Sequence, residues 1–312
     1  MSTNNLSAVA PWPDLPFSEW QDTATTLHMW TQIVGKIRLA QSPWLNHSWH
    51  VTLYVTPRGL TTGTIPHGPH SFSIDFDFVD HQLVIQSSDG HLERLPLEPQ
   101  DTADFYSAVM AALDGMGLSV TINTTPNEIA DPIPFDQDRT NKSYDPGAVR
   151  RFHRVLHDVS RVFGEFRADF LGKASPVHFF WGSFDLAVTR FSGREAPDHP
   201  GGLPNMPLWV AQEAYSHEVS SAGFWPGSPD FPQAIFYSYA YPSPDGFGEK
   251  KVLPDAATWS TDLGEFVLTY EAVAGSDDPD RTLRDFLEST FDAAAETGGW
   301  EIDVHKRRHF PG

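Results

Sequence analysis

Two long segments of the chain place apolar residues at the spacing of an amphipathic helix. Each runs into a Ser-Pro pair, at Ser42-Pro43 and Ser175-Pro176, and proline disfavours helical geometry in the residue before it. The pattern predicts helices over residues 22–40 and 148–171. Their apolar faces would be formed by Leu27, Trp30, Ile33, Val34 and Ile37 in the first, and by Phe152, Val155, Leu156, Val159, Val162, Phe163, Phe166 and Phe170 in the second.

Other segments alternate apolar and polar residues, as half-buried strands do. Residues 72–79, FSIDFDFV, alternate without a break. A long strand is predicted over residues 178–189, with Leu186 and Val188 facing the core and Asp185 and Thr189 on the opposite, polar face. Residues 49–56 predict a similar strand with a polar face. A tyrosine ladder in YSYAY puts Tyr237, Tyr239 and Tyr241 on one face of a further strand.

Similar short segments recur in the two halves of the sequence. Ser-Pro at 42–43 and LYVT at 53–56 match Ser-Pro at 175–176 and LAVT at 186–189, with the same separation of 133 positions. Helices predicted at 104–117 and 285–298 also correspond, and each precedes a short strand, at 118–122 and 300–304. We therefore predict an α+β protein of two related modules, each with a helix, a long strand, further strands, a helix and a strand, in a pseudo-two-fold arrangement.

The repeat also suggests boundaries along the chain. We predict an N-terminal extension over 1–20, a first module over 21–125, a linker over 126–147 that is rich in Pro, Asp and Asn, and a second module over 148–312. The second module carries an insertion over 194–233. Long excursions with Gly and Pro hinges often form binding loops, so we expect this insertion to close over a cleft between the modules.

Composition narrows the range of partners. The 312 residues carry a formal net charge of -20, and such a field repels nucleic acid and anionic membrane surfaces. The absence of cysteine excludes disulfides, a thiolate nucleophile and cysteine-type zinc sites. No stretch approaches the roughly 18 apolar residues of a membrane span. These features predict a cytoplasmic protein that binds a small-molecule ligand, with neither nucleic acid nor membrane as a partner; a homodimer is left open.

Candidate catalytic residues lie on the long strand and in the insertion. His178 and His217 are the candidate acid–base groups, since a histidine oriented by a carboxylate is the minimal acid–base unit. Asp185 and Glu218 would orient them or share their protons. We therefore expect an enzyme, or an enzyme-like binder, that uses histidine and carboxylate chemistry on a small polar or anionic molecule.

Further residues are candidates for substrate binding. Arg190 would hold an anionic group, Trp181 and Trp225 would exclude water, and Tyr215 and His50 would face the same cleft. Arg194, Lys36 and Arg38 are other basic residues that could bind a carboxylate or phosphate. Each of these cations could equally form a structural salt bridge.

Recognised motifs add little to this picture. The sequence has no GxSxG elbow, no glycine-rich phosphate loop and no HExxH zinc motif, so the cofactor question stays open and no metal site is assigned. Two alternatives remain. One is a non-catalytic binding or scaffold protein with aromatic interaction surfaces, and the other is a metalloenzyme built from His50, His178, His217 and Glu218.

Four long segments together resemble a bacterial family catalogued as a domain of unknown function. They are WPDLPFSEWQDTATTLHMWTQIVGKIRLA, NHSWHVTLYVTPRGL, PVHFFWGSFDLAVTRFSGR and AYSHEVSSAGFWPG. The resemblance extends from about Trp12 to Trp300. It implies a single compact bacterial protein and assigns no activity, cofactor or functional residue.

Overall fold

A computed structural model describes residues 11–301 of the protein. This part of the chain forms two six-stranded antiparallel sheets flanked by helices, so the predicted α+β class is confirmed. The helices are α1 (Gln21–Gln41), α2 (Thr102–Gly115), α3 (Pro146–Ala168), α4 (Leu208–Ala214), α5 (Tyr270–Ala274) and α6 (Pro279–Thr297). None of these helices combines the length and the apolar character that crossing a membrane requires.

Local sequence explains where three of the long helices begin. Asp101, Asp145 and Asp278 occupy the N-cap positions of α2, α3 and α6, and each side chain accepts hydrogen bonds from backbone N–H groups of the first turn. Proline fills the first position of α3 and of α6, where no N–H is needed. The two predicted long helices thus exist, with ends shifted by one to three residues.

The first sheet follows the first long helix. Its strands are β1 (Tyr54–Thr56), β2 (Gly59–Thr61), β3 (Ile65–His67), β4 (His70–Asp77), β5 (Gln82–Ser87) and β6 (Leu92–Pro96). They are ordered β1-β2-β4-β5-β6, with β3 also paired to β4. The alternation predicted for residues 72–79 is present, since Phe72, Ile74 and Phe76 of β4 are all buried.

The second sheet follows α3. Its strands are β7 (His178–Phe180), β8 (Asp185–Glu195), β9 (His217–Trp225), β10 (Ile235–Tyr241), β11 (Thr258–Ser260) and β12 (Glu265–Thr269), in the order β11-β12-β10-β9-β8-β7. Strand β9 lies inside the segment 194–233 that we expected to be an inserted lid. It is a central strand, so the parts of that segment able to cover the sheet are its flanks, which include α4.

The two predicted long strands are wrong in detail. Residues 178–189 form the hairpin β7–β8, because the chain turns at 181–184 and Phe184 adopts a left-handed φ of 62°. Residues 46–52 are a 3-10 helix and turns, so β1 begins at Tyr54. Residues 118–122 are irregular, as are Trp300 and Glu301, and residues 302–304 of the other predicted terminal strand lie outside the described residues.

A short bridge and one buried helix join the two halves. Leu53 and Phe179 exchange two backbone hydrogen bonds, with N–O distances of 2.9 and 2.7 Å, between the start of β1 and strand β7. Helix α1 is buried along most of its length, from Thr23 to Ile37, and its Gly35 lies against the indole of Trp181. A continuous hydrophobic core therefore includes residues of both halves.

The two halves share a coarse order of helix, antiparallel sheet and helix. Their strand orders differ, because β12 lies between β10 and β11 in the second sheet and β3 branches from β4 in the first. Internal duplication with a pseudo-two-fold relation, and the module boundaries derived from it, therefore remain predictions.

Candidate functional site

One face of the second sheet is polar and partly covered by loops. The register places Asp185, Gly223 and Tyr237 on this face, because Ala187 is paired with Gly223, and Gly223 with Tyr237. On the opposite face Leu186, Phe224 and Phe236 are fully buried in the core. The polar face is formed by Asp185, Ala187 and Thr189 of β8, Ser221 and Gly223 of β9, Tyr237, Tyr239 and Tyr241 of β10, and Glu265 of β12.

Asp185 is the first residue of β8 on this polar face and is 6% exposed. The hydroxyls of Ser183 and Tyr237 each donate a hydrogen bond to its carboxylate, one to each oxygen. Burial raises the pKa of Asp185, while these two donors act in the opposite direction by stabilising the anion. This buried carboxylate is thus held by two hydroxyl donors, and no cation of residues 11–301 is paired with it.

The contact between Tyr237 and Asp185 depends on a glycine in the intervening strand. A Cβ atom at Gly223 would lie 2.2 Å from both the Cζ and the hydroxyl oxygen of Tyr237. The ring therefore occupies the space directly above Gly223, and the small Ala187 follows in the next strand. These two small residues let a tyrosine of β10 reach across β9 to a carboxylate of β8.

A second carboxyl group comes from the linker between the halves. The Oε1 atom of Glu128 lies only 2.1 Å from where a Cβ of Gly182 would be, so this carboxyl rests on the β7–β8 turn. The linker is fixed there by Gln32 of α1, which exchanges two hydrogen bonds of 2.8 and 2.9 Å with the backbone of Asn127. The N–H of Glu128 itself donates to the carbonyl of Pro204, at 2.9 Å.

A third carboxyl group, Glu265, begins strand β12 on the same face. Desolvation and the negative charge of Asp185 together raise the pKa of both Glu128 and Glu265 to about 7. Both side chains nevertheless keep part of their surface accessible. Asp185 thus raises the pKa of two other carboxyl groups that share this face, and a pKa of about 7 places both near the midpoint of their titration at neutral pH.

Tyrosine hydroxyls complete the arrangement. Tyr215, which follows α4, and Tyr239 form a hydrogen bond of 2.7 Å between their hydroxyls, and Tyr239 stacks with Tyr237 at 6.1 Å between ring centroids. Burial raises the pKa of Tyr215 to about 12, so its hydroxyl stays protonated, and the charges of all three carboxyl groups act in the same direction. We call Glu128, Asp185, Glu265, Tyr215, Tyr237 and Tyr239 the carboxyl–tyrosine cluster.

Two of the predicted histidines lie elsewhere, where the two halves meet. His178 of β7 and His50 are 1% and 2% exposed, and burial lowers the pKa of both, with the charge of Arg38 on α1 acting in the same direction. The pKa of His178 falls to about 3, so its imidazole is neutral. We call Arg38, His50 and His178 the arginine–imidazole cluster. It lies on the same face of the β7–β8 hairpin as Asp185, since His178 is paired with Ala187.

The predicted pair His217 and Glu218 does not join either cluster. The ring of His217 lies 5.9 Å from that of His47, and its Nδ1 is hydrogen-bonded to Ser216. Glu218 accepts hydrogen bonds of 2.9 and 2.7 Å from Arg194 and one of 2.8 Å from Ser192. Glu218 is thus engaged in a salt bridge at the start of β9.

Arg190 lies on the apolar face of β8, away from Asp185. Its guanidinium stacks 3.4 Å above the ring of Phe166 and 4.4 Å from that of Phe291, and Glu288 lies 3.4 Å away. Its Nη1 and Nη2 donate to Glu288 and to the carbonyl of Phe166, and only Nε lacks a partner among residues 11–301. The structure therefore does not bring Arg190 to the other predicted site residues.

The two predicted tryptophans occupy different environments. Trp181 is 6% exposed, packs on Gly35 and donates a 2.7 Å hydrogen bond to the carbonyl of Val51. Trp225 lies on the polar face at the end of β9, partly accessible and 5.7 Å from the ring of Phe231. Trp181 thus supports the junction of the halves, whereas Trp225 borders the polar face.

Sequence reasoning identified Asp185 and Tyr215, noted the tyrosine ladder and missed Glu128 and Glu265. Glu265 stands at the start of the alternating strand EFVLT, on the same side as Val267 and Thr269, and this alternation was a usable signal. Glu128 stands in an irregular linker with a left-handed φ of 59°, where no periodicity exists to point to it.

Two other kinds of site, a metal site and a surface groove, were weaker candidates than the carboxyl–tyrosine cluster. Within residues 11–301 no group of three or more His, Asp or Glu side chains is placed to hold a metal ion. An open groove of about 720 Å³ lies at the start of α2, lined in part by Asp101 and Asp104. Both carboxylates there are paired with Arg139, at 2.9 and 2.5 Å. The groove therefore has no group of mutually close, partly buried carboxyls comparable to the carboxyl–tyrosine cluster.

Comparison with known proteins yields one match. A model described as a family of unknown function (DUF5996) matches residues 12–307, nearly the whole chain. No curated protein matches the sequence. No solved structure matches it either.

Proposed function

The chain belongs to the DUF5996 family, whose function is unknown, and we propose that the carboxyl–tyrosine cluster is the acid–base site of an enzyme. The observation that carries this proposal is the convergence of Glu128, Asp185 and Glu265, from three distant segments, on one partly accessible face that also carries tyrosine hydroxyls. The catalytic groups are then carboxyls rather than the histidines that the sequence favoured.

The environments of the three carboxyls suggest their roles. Asp185 accepts two hydroxyl hydrogen bonds, so it is the carboxyl best stabilised as an anion and the natural proton acceptor or charge stabiliser. Glu128 and Glu265, with pKa values of about 7, exist in both protonation states at neutral pH. A catalytic acid or base works best when its pKa lies near the operating pH, so these two suit proton transfer to and from a substrate.

The charge of the cluster restricts the substrate. Carboxylates gathered on one face of a protein with a net charge of -20 create a negative potential that repels anions. The same carboxylates accept hydrogen bonds from hydroxyl or amine groups, and tyrosine faces favour sugars or organic cations. A neutral polyhydroxylated molecule or a cationic amine therefore fits this cluster better than the anionic substrate that the sequence suggested.

One observation favours a second candidate, a non-catalytic interaction surface. Trp44 and Trp209 are 42% and 55% exposed, and their rings lie 4.9 Å apart. Leu45 and Leu208, the chain neighbours of these two tryptophans, are also exposed. Clusters of exposed apolar side chains often mark a binding surface, so these residues support the interaction alternative.

The enzyme proposal is tested with chromogenic p-nitrophenyl substrates carrying neutral sugars, cationic amino acids or anionic phosphate. We expect turnover of a neutral or cationic member and a fall in kcat of about 10²–10⁴-fold in Glu128→Gln or Glu265→Gln. The variant with the larger loss should also lack the ionisation near pH 7 in its pH–rate profile. Glu93→Gln, an exposed glutamate of β6, is the matched control and should keep full activity.

Two results would contradict the proposal. One is turnover that is confined to the anionic substrate. The other is turnover that survives Asp185→Asn, Glu128→Gln and Glu265→Gln in chains whose circular dichroism and thermal unfolding match the wild type. In the second case the tyrosine face would be a binding surface without acid–base chemistry.

A further inference from the structure

The arginine–imidazole cluster is a second site with a different chemistry. We propose that Arg38, His50 and His178 bind a small oxyanion, a carboxylate or a phosphate group, at the junction of the two halves. This inference does not rest on the acid–base proposal, because it concerns other residues and a ligand of the opposite charge.

The first observation is an unsatisfied donor on His50. The Nδ1 atom of this ring accepts a hydrogen bond of 3.3 Å from the N–H of Leu45, so in the neutral ring the proton is on Nε2. That Nε2–H is buried and has no hydrogen-bond partner within residues 11–301. Since buried polar groups are nearly always paired in native proteins, a missing partner points to a ligand or to water.

The second observation concerns His178. Its ring is 1% exposed, and its Nδ1 atom is also buried without a partner in the described part of the chain. Its neighbour on the same face of β7 is Phe180, with ring centroids 4.7 Å apart, which offers no conventional hydrogen bond. The fold thus buries a second imidazole nitrogen next to an arginine and leaves it unused.

The third observation is the state of Arg38 itself. Its guanidinium lies 5.2 Å above the ring of Tyr54, and its Nε and Nη1 atoms are buried without a partner among residues 11–301. Leu53 and Phe179 form an antiparallel bridge, which places Tyr54, the residue beneath this guanidinium, opposite His178; the charge on Arg38 also disfavours protonation of both His178 and His50. A guanidinium beside two neutral imidazoles forms a site with net positive charge and several N–H donors.

Among residues 11–301, no carboxylate forms a salt bridge with Arg38. The negative charge of Glu213 acts to raise the pKa of His50. Both oxygens of Glu213, however, accept hydrogen bonds from the N–H of His47, at 3.1 and 3.0 Å. Glu213 also faces Lys173 and His47, which compete for its charge. An external anion would therefore supply the counter-charge that the cluster lacks.

The cluster is close to the surface on one side. Trp44 packs on His50 with 4.4 Å between ring centroids and is itself 42% exposed. The indole is thus a single layer between the imidazole and solvent, on a segment where Pro43, Leu45 and Asn46 are also exposed. A rotation of one side chain would open a path for a small ion.

The test uses inorganic phosphate and acetate as probes, with sodium chloride to hold ionic strength constant. We expect at least one probe to raise the Tm of the wild-type protein in a saturable way, because a ligand that binds the folded state stabilises it. Arg38→Gln should abolish this shift. Arg94→Gln, an exposed arginine of β6, and Asp185→Asn should both retain it, which separates this site from the carboxyl–tyrosine cluster.

The Tm without added anion distinguishes binding from a structural role. If Arg38 serves to bind a ligand, its charge lacks a counter-ion in the free protein. Arg38→Gln should then be at least as stable as the wild type without anion. If Arg38 is structural instead, its loss should lower the Tm. If Arg38→Gln does not fold, imidazole NMR signals of His50 and His178 in the wild type should still shift on titration with the active probe. The proposal fails if neither probe gives saturable binding, or if Arg38→Gln binds as the wild type does.

Discussion

Replacement of Gly223 by alanine tests how the carboxyl–tyrosine cluster is built. The added Cβ would lie 2.2 Å from Cζ and the hydroxyl oxygen of Tyr237 and 2.6 Å from Cε1, distances that no relaxed structure keeps. The ring must leave the face of β9, and its hydrogen bond to Asp185 is then lost. The contact is to aromatic ring atoms held by stacking on Tyr239, so a small rotation does not relieve it.

The expected cost follows from three contributions. Losing a hydrogen bond to a buried charged group costs about 1.5–3 kcal/mol, and forcing an extra methyl group into a packed region costs about 1–3 kcal/mol. Replacing glycine by alanine in a strand raises the free energy of unfolding by about 0.5–1 kcal/mol, because alanine loses less backbone entropy on folding. We therefore expect Gly223→Ala to lower the free energy of unfolding by about 2–5 kcal/mol, measured by urea titration at pH 7.

A matched control is available on helix α3. An added Cβ at Gly164 meets no atom within 4 Å, so the same substitution there should stabilise the protein by about 0.5–1 kcal/mol. In a Tyr237→Leu background the ring is gone, and Gly223→Ala should then cost less than about 1 kcal/mol. If Gly223→Ala is as stable as the wild type, or costs the same in both backgrounds, the packing of Tyr237 over Gly223 is not what holds the cluster together.

Two further predictions concern pH and the apolar face. Glu128 and Glu265 have pKa values of about 7 in the folded protein against an ordinary 4.5, so each contributes stability that is fully present below about pH 4.5 and is lost as the pH rises through 7. The loss is at most about 3 kcal/mol per group, and less where water reaches the carboxyl. Urea titrations from pH 5 to pH 8 should show a smaller decline for Glu128→Gln than for the wild type, and an equal decline would contradict the assigned environment. On the apolar face, Arg190→Met should stay within about 2 kcal/mol of the wild type, whereas Arg190→Ala should lose about 3–5 kcal/mol, because Met fills the space among the rings and Ala leaves a cavity. Calorimetry of both variants checks this, and a stable Arg190→Ala would refute it.

Periodicity predicted the elements in which apolar residues recur at regular spacing. Helix α1, helix α3 and strand β4 all have regular apolar spacing, and all three exist close to the predicted bounds. The hairpin at 178–195 was not predicted, because the sequence FFWGSF has the pattern of a continuous strand. In the structure the chain turns there, and Phe184 adopts a left-handed conformation. Such a conformation is rare for an aromatic residue, so composition gives no warning of it.

The candidate site was predictable to the extent that it lies on strands. Asp185 and the tyrosine ladder follow from alternation alone, and both lie on the polar face. The position of Glu128 depends instead on the two hydrogen bonds between Gln32 and the backbone of Asn127, residues separated by 95 positions. Contacts of this kind arise from tertiary packing, and a single sequence carries no local pattern that encodes them.

The β7–β8 hairpin contains three residues that are costly to bury, and each has a different environment in the folded protein. Arg190 keeps its charge, because aromatic faces and Glu288 surround it. Asp185 receives hydrogen bonds from two hydroxyls, with two further acids nearby whose pKa values it raises. His178 is neutral, and within residues 11–301 its Nδ1 and the Nε and Nη1 of Arg38 have no hydrogen-bond partner. Arg190 lacks a partner only at Nε, because its Nη1 and Nη2 bond to Glu288 and to the carbonyl of Phe166, so packing and pairing explain its burial. The three unpaired nitrogens of His178 and Arg38 are better explained by a molecule that the folded protein binds, since buried polar groups are nearly always paired.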